Sequence, residues 1–386
     1  METKRAFTAV ILSLMILLGY QYFFMPSPQL QDPPPGAEQT TVVAPGSAPV
    51  VAEEAAQVAA PVGIAAVPES QFAQVALTGK DIPIETELYS AVISENGAVI
   101  KSFKLKQYKE KPGKDAQLKE LVFADTPGTV FAWGNGIPSQ PQLFTASKDH
   151  VTTSSGGSAS LIMTASPMPG LTVTRNMVFN DASYQIALEI SVKNESGQAL
   201  QGAPFLSSIN KPFSDAAKSQ GVFVGPAVFL DGVLQEVNAG DLKDDGPKTV
   251  SGQLAWSAYE DSYFLSAIIP QQTGKTTVLL SSGDNEKVVS TISGEQEIIP
   301  MGGEKTYKYT IFIGPKKLPI LKEAGANLDK VINFGWFDVI AKPTLFLLNF
   351  LHHYLHNYGV AIILVTIIFK LLFWPISHKG MKSMKT

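Results

Sequence analysis

The 386-residue sequence contains no cysteine. Disulfides, thiolate zinc sites, iron–sulfur clusters and cysteine nucleophiles are therefore excluded, and any exported domain must hold together by packing alone. Histidine is scarce: of the 5 in the chain, only His150 precedes position 352. No sign of charge dominates, since 30 basic and 34 acidic residues give a net charge of −4, and the basic surplus of a general nucleic-acid binder is missing. Residues 26–70 lack lysine and arginine entirely and hold 9 prolines among alanine, glutamine and glutamate. With so few aromatic or branched residues, residues 26–73 read as a disordered, partly extended tether.

Two runs lack charge where the rest of the chain has it. Residues 6–25 carry no charge and follow Lys4 and Arg5. The run exceeds the roughly 7–15-residue core of a signal peptide, and no small-x-small cleavage site follows it. Tyr20, Tyr22, Phe23 and Phe24 instead suit the headgroup level, so residues 1–25 are expected to form an uncleaved transmembrane anchor. The second run, residues 358–376, is long enough to cross about 30 Å of hydrocarbon at about 1.5 Å per residue. It contains one charge, Lys370, which at a bilayer centre costs about 2.5–3.5 kcal/mol. Two readings stand open on the run alone: a functional charge, or an ammonium that snorkels along its stem towards the interface near Ile376. His378, Lys379, Lys382 and Lys385 follow the run, so the positive-inside rule places both termini in the cytoplasm and the long middle outside. Residues 377–386 are then the start of a cytoplasmic loop.

Residues 74–315 have a β texture. Residues 84–94 alternate, Asn96-Gly97 turns the chain, and residues 99–105 return, a hairpin signal. Further strands are expected near 171–179, 184–192, 221–230, 263–269, 277–280, 287–292 and 306–313. The expectation is one large antiparallel β-sandwich.

Candidate sites in this region are weak. His150 beside Asp149 reads as a solvated loop residue. Gly156-Gly157-Ser158 lacks the nucleophile-elbow pattern, and Trp256, Tyr259, Tyr263 and Phe264 read as core. Asn194-Glu195-Ser196 matches a glycosylation sequon that is common by chance. Carboxylate pairs leave a sugar-modifying enzyme open without supporting it.

Residues 316–357 turn helical. Leu347, Phe350, Leu351, Tyr354 and Tyr358 recur on one stripe, with Phe346 beside them. Asn349, His352, His353 and His356 occupy the opposite stripe. An amphipathic helix lying in the membrane plane is expected, leading into the span at 358–376. His352 and His356 are spaced to share a metal, but two neutral ligands alone make a poor site.

The order Gly314-Pro315-Lys316, Phe334-Gly335-Trp336, aromatic helix, Asn357-Tyr358-Gly359, apolar run with Lys370, and Pro375-Ile376 resembles the YidC-type membrane protein insertases of Gram-negative bacteria. The resemblance covers the whole chain. It implies a periplasmic β-sandwich resembling the mutarotase-like supersandwich, flanked by two transmembrane helices and preceded at the second by the interfacial helix. It implies a bacterial inner-membrane location, no enzymatic activity and no cofactor. The partners it implies are nascent membrane proteins, the lipid bilayer and the Sec translocon. Lys370 falls where the family carries a basic residue, usually arginine, facing a hydrophilic intramembrane groove. Lysine keeps the charge and loses the planar fork. Family members continue with further spans past the position of Thr386, so this sequence is expected to supply one wall of the groove. The alternative reading is a two-span periplasmic scaffold whose sandwich binds a protein or glycan.

Overall fold

The computed structural model describes residues 79–384, apart from 114, 137–140, 214–222 and 334–337. The expected anchor at 1–25, the tether at 26–73 and the Phe334-Gly335-Trp336 motif lie outside the described residues.

Among the described residues, a five-stranded sheet and a fourteen-stranded sheet share one apolar core. The large antiparallel sandwich expected from the sequence is present. One pairing among the described strands is parallel, Asp81–Glu85 with Val151–Thr152. Strict alternation builds the inner face: in Leu171–Asn180 every second side chain is buried, from Leu171 through Phe179. Gly225–Leu230 and Val288–Ser293 are buried along their whole length, so both faces of the large sheet are covered there. Lys248–Glu260 binds the parts of that sheet together. Its first half pairs with Lys275–Ser282, and its second half pairs with both Phe264–Pro270 and Gly225–Leu230.

The hairpin at Asn96-Gly97 forms as expected, with Ser94 opposite Val99 and Gly97 and Ala98 at φ 78° and 50°. The alternating stretch before it is two strands rather than one. Asp81–Glu85 and Tyr89–Ser94 pair with each other across a turn closed by Thr86, whose hydroxyl donates to the Tyr89 carbonyl at 3.0 Å. Three long strands carried no clear signal in the sequence: Ser158–Met168, Leu200–Asn210 and Lys248–Glu260. In Leu200–Asn210 a central proline argues against a strand. Pro204 is tolerated because pairing changes partner there: residues before it bond Glu297–Ile299, and those after it bond Val288–Ser293.

Asp181, 4 % exposed, fastens the two sheets together. Its carboxylate accepts from the Glu87 backbone N–H at 2.8 Å, the Thr153 hydroxyl at 2.5 Å and the Gly156 N–H at 3.2 Å. These bonds, the Thr153 hydroxyl first, hold its carboxyl below the usual aspartate range. A depressed acid contributes stability above its unfolded pKa and loses it as pH falls through the folded value. Asp181→Asn is therefore expected to unfold at lower urea than the parent at pH 7, with the gap closing as pH drops below about 4.

Candidate functional site

The site expected at the C-terminal end rests on two helices, Asp338–Leu355 and Tyr358–Met384, which pack against each other. Phe346, Phe350 and Tyr354 recur every fourth residue on the first helix and are 73 %, 49 % and 67 % exposed, while Leu347 and Leu351 are half-buried. The expected stripe thus divides into an open aromatic edge and a leucine edge partly covered. Phe350 and Tyr354 meet edge to face at 5.0 Å.

The elbow between the helices explains the Asn357-Tyr358-Gly359 motif. Leu355 ends the first helix, and His356 turns the chain at φ 51°, in the left-handed region. The Asn357 side chain accepts from the N–H groups of Gly359 at 2.9 Å and Val360 at 3.3 Å, a helix N-cap. Tyr358 therefore belongs to the second helix, not to the stripe of the first. Its ring stacks on His352 at 3.6 Å. The same break takes His356 off the helix that carries His352, and no cluster of three or more metal-ligating residues occurs among the described residues.

Lys370 is exposed on the second helix. Ala361 and Val365 are buried, at 0 % and 8 % exposure, and mark the face turned towards the first helix. At about 100° per residue, Lys370 stands about 180° from Ala361, on the face the first helix leaves open. Thr366 and Trp374 lie one turn either side of it. Thr366 donates its hydroxyl to the Ile362 carbonyl at 2.8 Å, so its proton is used within the helix. Lys370 makes no ion pair among the described residues. Among those residues no helix is long and apolar enough to cross a membrane; the side chains described on this one end at Trp374, inside the apolar run. The helix itself continues through Pro375 and Ile376 to Met384, where the sequence suggested a loop. Strong helix formers beyond the proline, Lys379, Met381 and Lys382, favour its extension.

A buried charge cluster lies at the end of the sandwich from which the chain leaves towards these helices. Glu260 and Asp261 are both 0 % exposed at the end of Lys248–Glu260. The Lys316 ammonium, at the end of Glu304–Pro315, pairs with the Glu260 carboxylate. Burial pushes the Glu260 carboxyl up to about 7 against the opposing pull of Lys316. Asp261 accepts from the N–H groups of Tyr263 and Phe264, both at 2.7 Å, and burial raises its carboxyl as well. Lys119, nearly buried, donates to the Phe213 carbonyl and to Glu110 at 2.8 Å. Gly314 is needed beside this cluster, because a β-carbon there would come 2.8 Å from the Tyr184 ring. The following stretch stays welded to the sandwich: Leu321, Leu328 and Val331 are fully buried, and Gln185 donates to the Ala324 carbonyl at 2.9 Å.

The remaining candidates have structural places. His150 is exposed. Trp256, Tyr259 and Phe264 are core, whereas Tyr263 is 56 % exposed. Asn194 is fully buried and closed to glycosylation. Its amide donates to the carbonyls of Gln198, Ile299 and Pro300 at 2.8, 2.9 and 3.2 Å, and its oxygen accepts from the Ser196 N–H and hydroxyl. Arg175, also fully buried, reaches the Gly97 carbonyl at 3.0 Å, and burial pulls its pKa down to about 9.

Comparison with known proteins decides the family. Residues 81–347 match the family model of the YidC periplasmic domain. A membrane protein insertase YidC of Geobacter metallireducens is 34% identical over 99% of this chain, which spans 70% of that relative. One of Geotalea daltonii is 31% identical with the same coverages. The chain belongs to the YidC family.

The YidC periplasmic match opens at Asp81, where the first described strand opens, and ends at Leu347, inside the aromatic helix. A galactose mutarotase-like protein from Lactobacillus casei aligns at a TM-score of 0.44 and 12% identity, over 61% of this chain and 100% of that one. A mutarotase-like protein from Clostridium acetobutylicum aligns at 0.42 and 10% identity, over 60% of this chain and 94% of that one.

Proposed function

We propose that this chain inserts and helps fold proteins of the bacterial inner membrane, using Lys370 as the charge of a hydrophilic intramembrane groove. The observation that carries the reading is the placement of Lys370 on the face of Tyr358–Met384 opposite buried Ala361 and Val365. A lysine in an apolar run is costly facing lipid and far less so facing a wet groove. Residues 6–25 and 358–376 are the two spans, Asp338–Leu355 is the interfacial helix, and the sandwich is periplasmic.

The work needs no covalent chemistry, and the chain acts as an insertase, not an enzyme. Moving an apolar segment from water to lipid is favourable; dragging its polar flank across is not. A basic groove reaching partway into the bilayer shortens that polar path and attracts acidic residues of the flank. The apolar segment then leaves sideways into lipid. The substrates are nascent membrane proteins, received directly or from the Sec translocon.

Site-specific photocrosslinking tests this geometry. A crosslinker at Thr366, on the Lys370 face, is expected to trap a nascent membrane protein, while one at Val365 traps none. Equal trapping from both positions, or trapping from neither, contradicts the groove.

A further inference from the structure

Lys316 and Lys317 leave the last strand as neighbours with opposite fates. Lys316 is largely covered and pairs with buried Glu260. Lys317 is exposed, makes no ion pair among the described residues, and holds its ammonium 5.1 Å over the Tyr108 ring. Tyr108 packs edge-on against Phe264 at 5.6 Å, and the next residue back, Tyr263, is 56 % exposed. The Tyr263 carbonyl accepts from the Lys316 N–H at 2.7 Å, so these groups share the end of the sandwich from which the chain departs. Val99–Lys109 runs out at the same end, followed by exposed Lys111, while the Lys109 ammonium is engaged by the Gly113 carbonyl at 2.8 Å. Glu110 between those lysines offers little neutralisation, since its carboxylate is engaged by Lys119 at 2.8 Å and the Glu120 N–H at 3.2 Å. Lys322 is adjoined by exposed Glu323 and is left out of the patch.

The result is a cationic surface around an exposed tyrosine. It lies close to the bilayer in chain terms. Val331 is fully buried in the sandwich, and the aromatic helix begins seven residues later at Asp338, at most about 25 Å of extended chain.

We propose that Lys111, Lys317 and Tyr263 dock the sandwich onto anionic phospholipid headgroups of the adjoining membrane surface. The proposal rests on the reading of Asp338–Leu355 and residues 358–376 as membrane elements. Lysines near an anionic surface each favour association by about fivefold, and tyrosine seats well at headgroup depth. A protein partner fits less well, because a specific interface needs about 800 Å² per side with an apolar centre, and this patch exposes one aromatic ring. Docking would hold the sandwich in a fixed orientation against the periplasmic face of the membrane.

The absence of native cysteine makes the test direct. Exposed Gln107, beside the patch, is replaced by cysteine in the full chain and labelled with a fluorescence donor. Energy transfer to headgroup acceptors is measured in vesicles of zwitterionic lipid with and without anionic phosphatidylglycerol. A second label, at Ile363→Cys, reports the span itself. Transfer from position 107 is expected to rise with anionic lipid and to fall in high salt. The double variant Lys111→Gln with Lys317→Gln lowers the docked-to-undocked ratio by roughly 25-fold, two lysines at about fivefold each. Transfer from 107 that is equal in both lipids and indifferent to the double variant, with 363 still in lipid, overturns docking and leaves the span intact. A water-accessible label at 363 overturns the membrane reading, and docking with it.

Discussion

Lys316→Ala is expected to destabilise the sandwich by about 3–5 kcal/mol at pH 8, the cost of leaving a buried charge without its partner. Glu260 is fully buried, and Lys316 is its ion-pair partner among the described residues. The sign of the pH dependence follows from its raised carboxyl, about 7 in the folded protein against 4.5 unperturbed. A raised acid contributes stability that is complete below its unfolded pKa and lost as pH rises through the folded one. Without Lys316 the carboxyl rises further and protonates sooner, so the variant's deficit shrinks between pH 8 and pH 5. Lys316→Met combined with Glu260→Gln recovers most of the loss, since a neutral pair removes the orphan charge. Urea denaturation of the full chain in detergent, followed by tryptophan fluorescence, measures all three. A deficit independent of pH and unrelieved in the double variant would mean that Lys316 acts through packing alone.

Asn194→Ala is expected to cost about 3 kcal/mol, from several buried hydrogen bonds at about 1 kcal/mol each, with stranded carbonyls raising the figure. Asn194 joins the turn that follows Gln185–Asn194 to the turn between Glu297–Ile299 and Glu304–Pro315. Asn194→Asp loses the amide donors, buries a charge facing carbonyl oxygens, and should be at least as damaging. Hydrogen exchange in residues 297–304 should accelerate in both variants. Unchanged exchange there would show that the hub is not what holds this end.

Much of this architecture is written locally. Asn96-Gly97 specifies its hairpin because the turn demands left-handed backbone, which glycine adopts freely. The alternation in 171–179 and the apolar stripe near Phe350 each state their own element. Lys370 was legible as an exception to its run, and its direction became clear only when Ala361 and Val365 proved buried.

Other features are non-local and left no readable trace. Ser158–Met168 carries mostly serine and threonine on its outer face and two alanines on its inner one, so its strand character comes from pairing with Leu171–Asn180. Pro204 argues against a strand until its partners are known to change there. The Glu260–Lys316 pair spans 56 positions, and no spacing rule joins them. The sequon at Asn194 misleads because burial, not sequence, decides access. Gly314-Pro315-Lys316 was visible as a motif, yet its reasons are the Tyr184 ring and a buried carboxylate.

Insertion of a membrane protein with an acidic translocated tail, compared among the parent full-length protein, Lys370→Ala and Lys370→Arg, tests the central claim most directly. The groove account predicts that Lys370→Arg retains insertion and that Lys370→Ala loses about tenfold, the equivalent of about 1.4 kcal/mol of attraction to the tail. A neutral-tailed substrate should be affected much less. Equal insertion of the acidic-tailed substrate by all three proteins would contradict the account, leaving Lys370 a lysine that merely snorkels to the membrane surface.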